Sequence, residues 1–173
     1  YAGLFQPNYS RFDIDNQAQA QFHTGSIGHT VLLGFEYNRQ LSTDSEQLAL
    51  APSLNMFNPV YVPVTSDIFS GPNSFGYSDT KTKLDSFGVY AQDQIKLTPR
   101  IVFTIGGRQD WSRNTTTNTV ADTEQRQNDH AFTYRVGAVY LGDYGLSPYI
   151  SYATSFNPVI GVNADGTPFQ PTK

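Results

Sequence analysis

The chain contains no cysteine, one methionine and one tryptophan in 173 residues. Without thiols it can build neither a disulfide framework nor a thiolate-bound metal centre. Charge is scarce too. Asp, Glu, Lys and Arg together supply 15% of the sequence, against about 25% in an ordinary soluble domain. The balance is acidic, formally −4 at pH 7, and no basic stripe interrupts it, so no nucleic-acid partner is expected. No stretch of roughly 18 apolar residues is present to make a membrane-crossing helix. The opening Tyr1-Ala2-Gly3 lacks the methionine, basic patch and apolar run of a secretory leader, and an internal piece of a secreted protein would read the same way. The histidines, His23, His29 and His130, are too scattered to form a ligand set.

Aromatic residues, by contrast, are abundant. They make up 14% of the chain, with Tyr at 11 and Phe at 12, while mean hydropathy stays at −0.41. A transmembrane β-barrel wall has this profile, because each strand shows lipid on one side and a polar lumen on the other.

The alternation supports that reading. In residues 11–23, Phe12, Ile14, Ala18, Ala20 and Phe22 share one face, and Asp13, Asp15, Gln17, Gln19, Gln21 and His23 share the other. Period 2 sustained this long matches a tilted membrane-crossing strand of about 9–11 residues. Further strands are predicted at residues 29–40, 83–97, 101–112, 130–141 and 146–156. Val31, Leu33, Phe35 and Tyr37 oppose Thr30, Glu36 and Asn38; Phe87, Val89 and Ala91 oppose Tyr90, Gln92 and Gln94. Ile101, Phe103, Ile105 and Trp111 oppose Thr104, Arg108 and Asp110, and Phe132, Tyr134 and Val136 oppose Thr133 and Arg135.

The predicted connections alternate in length. Short turns lie at residues 24–28, 98–100 and 142–145; long ones run over residues 41–80, 113–129 and the Gly/Pro-rich end. Residues 45–50 suggest a short helix stopped by Pro52. Tight turns on one side and long loops on the other are the habit of outer-membrane barrels. The expected fold is therefore all-β, an antiparallel transmembrane β-barrel segment of about six strands. Six strands cannot close a barrel, since the smallest bacterial ones have about eight. Residues 1–173 thus read as one partial barrel domain, with strands missing on both sides. Alone, such a sheet is expected to aggregate, pair by its edges or depend on detergent.

Three segments carry a resemblance. Gly88-Val89-Tyr90-Ala91-Gln92-Asp93-Gln94, Gly106-Gly107-Arg108-Gln109-Asp110-Trp111 and the Pro148-Tyr149-Ile150-Ser151-Tyr152-Ala153-Thr154-Ser155-Phe156-Asn157-Pro158 run resemble TonB-dependent siderophore receptors in identity, order and spacing. Leu54-Asn55-Met56-Phe57-Asn58-Pro59-Val60 and the Asp165-Gly166 region are similar to the ferrichrome (hydroxamate) branch of that family. The resemblance implies a barrel of about 22 strands with a plugged lumen. It also implies an outer-membrane location, import of a ferric siderophore, and energy relayed by TonB through a plug domain. The plug, the TonB box and a C-terminal aromatic strand are not in this sequence.

A ferric siderophore already fills the metal's coordination sphere. A receptor then needs aromatic walls and hydrogen-bond donors rather than metal ligands, and no resident cofactor is expected. Phe57, Tyr61, Phe69, Phe75 and Tyr77 in residues 41–80 are the candidate ligand contacts; the plainer reading packs them on the loop itself or in an aromatic belt. Arg108, Asp110 and Arg135 are expected to face the lumen, as contacts to the plug or an anionic substrate, or as a solvated network. Trp111, Tyr134, Tyr140, Tyr149 and Tyr152 read as girdle residues. Asp13, Asp15, Glu36 and Asp93 read as solvated lumen charge, because no nucleophile or oxyanion site accompanies them, and no enzyme is expected. The alternative is an adhesin-like or soluble β module that binds a partner through long loops.

Overall fold

The computed structural model describes residues 1–61 and 63–157. These form one six-stranded antiparallel sheet in sequence order: β1 (Ala2–Thr24), β2 (Ile27–Ala49), β3 (Ser74–Thr98), β4 (Ile101–Asn118), β5 (Thr123–Tyr140) and β6 (Tyr149–Ala153). Short 3₁₀ turns occupy Ser66–Phe69 and Asp143–Gly145.

Local chemistry sets the tight turns. Gly25, at φ 65, lets β1 reverse into β2 in the left-handed region that a side chain disfavours. Between β3 and β4, the Thr98 hydroxyl accepts from the backbone N–H groups of Arg100 (3.2 Å) and Ile101 (3.0 Å). Pro99 sits inside that bend, where its fixed φ suits a turn.

The long connections are shorter than the sequence implies, because the strands are longer. β2 and β3 run 23 and 25 residues, so the 41–80 loop shrinks to residues 50–73. Residues 45–49 belong to β2 and form no helix. The expected 113–129 loop is a continuation of β4 and β5 closed by residues 119–122. β6 is confined to Tyr149–Ala153. Beyond the hydrocarbon both faces of a strand are wet, so pairing continues while the apolar alternation that marks it in sequence disappears. Residues 158–173, including the expected Asp165-Gly166 turn, lie outside the described residues.

The chain divides into two compact units. The first comprises residues 1–11, 40–83 and 115–126. Within it, the Leu50 N–H donates to the Asn73 carbonyl at 2.9 Å, closing the 50–73 connection. Thr119 donates through its N–H to the Asp79 carbonyl and through its hydroxyl to the Asp79 carboxylate at 2.8 Å. The Tyr1 and Phe75 rings meet edge to face at 5.5 Å.

The second unit comprises residues 12–39, 84–114 and 127 onward. Among the described residues it has two chemically distinct faces and no interior. Ala131 is the buried apolar residue among those described in this unit, while Phe87, Ile105 and Phe132 stand 42%, 53% and 65% exposed. A soluble β-domain must cover its apolar face with a second layer. This sheet leaves that face bare, as a lipid-facing wall does.

Candidate functional site

The outward, apolar face of the second unit carries a row of rings. Phe35 and Phe87 lie 6.4 Å apart, Phe87 and Trp111 stack at 5.8 Å, and Tyr134 meets Tyr152 at 5.9 Å. Val31, Ala91, Ile105, Phe132 and Val136 line a shallow apolar hollow on the same side. Polar groups bound this band at both ends. On one side the Tyr37 hydroxyl and the Arg39 guanidinium both donate to Asp85, at 2.9 and 2.6 Å. On the other, His29 pairs with Asp93 at 2.7 Å and stacks on Phe22 at 5.0 Å. Asp93 therefore departs from its expected role as solvated lumen charge. Its position in the alternation of β3 matches Phe87 and Ala91, which puts it at the rim of the apolar band.

Tyr149 is also corrected. In the β5–β6 register Arg135 opposes Ala153, Val136 opposes Tyr152 and Val139 opposes Tyr149. Tyr152 thus shares the apolar face with Val136, whereas Tyr149 falls on the face of Arg135 and leaves the girdle.

The inward face is a polar network that crosses strands. Asn38 on β2 donates to Asp13 on β1. The Tyr90 hydroxyl on β3 donates to Asp15 on β1 at 2.7 Å, and Gln17 donates to the same carboxylate at 2.8 Å. Arg108 on β4 bonds Glu36 on β2 at 2.9 Å and Asp110 at 2.8 Å, with its guanidinium 5.6 Å from the Tyr90 ring centre. Two glycines make room for these side chains to lie flat. A Cβ at Gly34 would run into the Tyr90 ring, and one at Gly88 into the Arg108 guanidinium. Above them opens a depression of about 420 Å³ lined by Asp15, Tyr90, Gln92, Arg108, Thr133 and Arg135, among others.

Arg108 and Arg135 thus border one depression, and Asp110 joins Arg108 directly. Tyr90, Glu36 and Asp15 complete the site. Their polar alternation is visible in the sequence, but their pairing depends on register across three strands, which alternation alone cannot supply.

The five aromatic candidates do not converge. Phe57 and Tyr61 stand 92% and 81% exposed in the 50–73 connection, and Phe69 lies half-buried on the 3₁₀ turn. Phe75 and Tyr77 sit on β3, not in a loop, and the ring partner of Phe75 is Tyr1. Asn55 holds Phe57 in place locally: its side-chain oxygen accepts from the Phe57 N–H at 2.9 Å and the Asn58 N–H at 3.4 Å. Among the described residues no cluster of His, Asp or Glu is arranged to hold a metal ion.

Comparison with known proteins places this two-faced sheet. Among curated relatives, the ferrichrome outer membrane transporter/phage receptor of Escherichia coli K12 is 37% identical over 165 residues, covering 94% of this chain. The ferrioxamine B receptor of Salmonella typhimurium SL1344 is 31% identical over 164 residues, covering 95% of it. This chain spans 22% of the length of each. In three dimensions it is similar to unliganded ferric citrate transporter FecA (TM-score 0.71, 18% identity, 89% of this chain and 21% of that one). It is also similar to the siderophore receptor PiuA of Acinetobacter baumannii (TM-score 0.66, 21% identity, 90% and 25%). These relatives are transporters and receptors, not enzymes, and the fold they share belongs to the outer membrane. The profile of the TonB dependent receptor-like, beta-barrel family matches residues 2–173, and the chain belongs to that family as a stretch of its barrel wall.

Proposed function

We propose that this chain forms part of the wall and outer mouth of a longer outer-membrane receptor. That receptor binds a ferric hydroxamate siderophore and imports it with energy delivered by TonB through a plug domain. The observation that carries the reading is the pair of opposed faces, a bare aromatic band backed by a cross-strand polar network. A wall of that kind separates lipid from a hydrated passage. The names of the relatives support the cargo: one transports ferrichrome and another receives ferrioxamine B.

Iron enters as cargo inside its chelate, so the site supplies ring faces and donors and needs no resident cofactor. Phe57, Tyr61, Phe69, Phe75 and Tyr77 are proposed as the ring contacts, with Phe57 and Tyr61 foremost because they are already presented to solvent. Arg108, Asp110 and Arg135 face the passage.

The test uses the full-length receptor. Ferrichrome binding is measured by fluorescence quenching, and uptake of iron-55 ferrichrome by cells with and without TonB. The expected results are saturable binding, uptake only with TonB, and roughly tenfold weaker binding in a Phe57→Ala/Tyr61→Ala variant, the effect of about 1.4 kcal/mol. Uptake that persists without TonB, or a receptor indifferent to ferrichrome, would sink the proposal.

A further inference from the structure

The outward face of the second unit is unevenly furnished. Toward one rim, Phe35, Phe87 and Trp111 cover it with neighbouring rings. Toward the other, the rings give way to a hollow of about 550 Å³. The small residues Ala91 and Gly107 leave room there, and Val31, Ile105, Phe132 and Val136 line it.

The hollow reaches a charged group. Asp93, itself one of the lining residues, bonds His29 through Oδ2 at 2.7 Å, and Phe22 stacks on that ring at 5.0 Å. The other carboxylate oxygen, Oδ1, is enclosed and has no hydrogen-bond partner among the described residues. A carboxylate can accept about four hydrogen bonds, so Asp93 is poorly satisfied for a charge beside hydrocarbon. The 23% of its side chain that stays open lies away from Oδ1, which leaves Oδ2 as the oxygen a donor can reach. Depth follows from the turns. His29 and Asp93 lie within a few residues of the tight reversals after Thr24 and Thr98, and tight turns mark the periplasmic end of such barrels. The carboxylate therefore sits at the headgroup level of the periplasmic leaflet, and the hollow runs from it into the hydrocarbon.

We infer that the hollow seats one phospholipid of the periplasmic leaflet bearing a primary-amine headgroup, of the phosphatidylethanolamine class. Its ammonium donates to Asp93 Oδ2, and one acyl chain lies against Val31, Ala91 and Phe132. Charge selects the headgroup. The carboxylate repels an anionic headgroup, and a quaternary amine has no N–H with which to make a charge-assisted bond. Lipids of the outer leaflet are excluded by depth. The inference depends on the chain being barrel wall, not on the cargo of the receptor.

The test is native mass spectrometry of the detergent-solubilised full-length receptor with dioleoyl phosphatidylethanolamine, phosphatidylcholine or phosphatidylglycerol, which differ in headgroup alone. One ethanolamine lipid is expected to be held about tenfold more tightly than either of the others, the worth of one charge-assisted hydrogen bond. Asp93→Asn is expected to bring it down to the level of the choline lipid. Ala91→Leu, which fills the hollow and keeps the carboxylate, is expected to weaken all three lipids alike. Heat-modifiable migration on gels confirms that each variant barrel is folded. A phosphatidylethanolamine with a photoreactive acyl chain is expected to label the peptides that carry Ala91 and Phe132. Equal retention of the three lipids, an ethanolamine adduct unchanged by Asp93→Asn, or label spread evenly around the barrel would overturn the inference and leave ordinary annular lipid. So would a receptor dimer dispersed by Ala91→Leu, which would mean that a second copy covers the hollow. No arm of the test reads siderophore binding, so failure of the receptor reading leaves its result intact.

Discussion

Arg108 bridges strands that are not neighbours, joining β4 to Glu36 on β2 while holding Asp110 on its own strand. Its side chain is 34% exposed, and those of Glu36 and Asp110 are 31% and 19% exposed. The pair therefore falls between a screened surface bridge and a buried one. Arg108→Met leaves two carboxylates facing each other without their cation. It is expected to cost about 1–2 kcal/mol in urea unfolding of the full-length receptor from vesicles. Adding Glu36→Gln and Asp110→Asn should restore most of that loss, and no recovery would mean the charges are not the cause. In the 50–73 connection, the Thr65 side chain hydrogen-bonded to Asp67, aided by the Asp67 backbone, holds the Asp67 carboxyl below its ordinary 3.8. A depressed carboxyl favours the ordered loop above the ordinary pKa, and that contribution fades as pH falls through the lowered value. Carbon-13 NMR titration should find Asp67 below 3.8, rising toward it in Thr65→Ala.

At the level of elements, the crossing parts of β1 to β5 were legible because lipid on one side and water on the other imposes period 2 on the sequence. Phe12 to Phe22 and Phe132 to Val136 show this plainly. What the sequence concealed was how far the strands continue: residues 41–49 and 113–118 pair in the sheet although neither face is apolar. The packing of Tyr90 over Gly34 was also concealed, since it joins positions whose register only the folded sheet reveals. Gly34→Val should force the Tyr90 ring from Asp15, at a cost of about 1–3 kcal/mol. Because both changes act on one contact, adding Tyr90→Ala should cost much less than the sum of the single effects. Additive losses would remove the close approach as the explanation. The faces themselves are tested by neighbouring residues on β5. Phe132→Arg is expected to cost about 2–4 kcal/mol in vesicle-based unfolding, as charges on a lipid face do. Thr133→Arg, one step along the strand, should change stability by less than about 1 kcal/mol. Similar penalties at both positions would contradict the assignment of lipid and lumen sides.

For the whole molecule, the polar pairs at the two rims of the outward face carry a consequence of their own. His29 with Asp93, and Tyr37 and Arg39 with Asp85, are groups that resist immersion in hydrocarbon, so together they gauge the thickness of bilayer the wall accepts. From His29 to Tyr37, at about 3.4 Å per residue and a tilt near 40°, β2 rises about 20 Å. That span suits a thin bacterial outer membrane and falls short of the roughly 30 Å core of a typical bilayer. Refolding of the full-length receptor should therefore be faster and more complete in vesicles of twelve-carbon than of eighteen-carbon lipids. Moving the upper rim outward by Asp85→Leu together with Arg39→Leu should shift that preference toward longer chains, and an unchanged preference would show that the gauge is set elsewhere on the barrel.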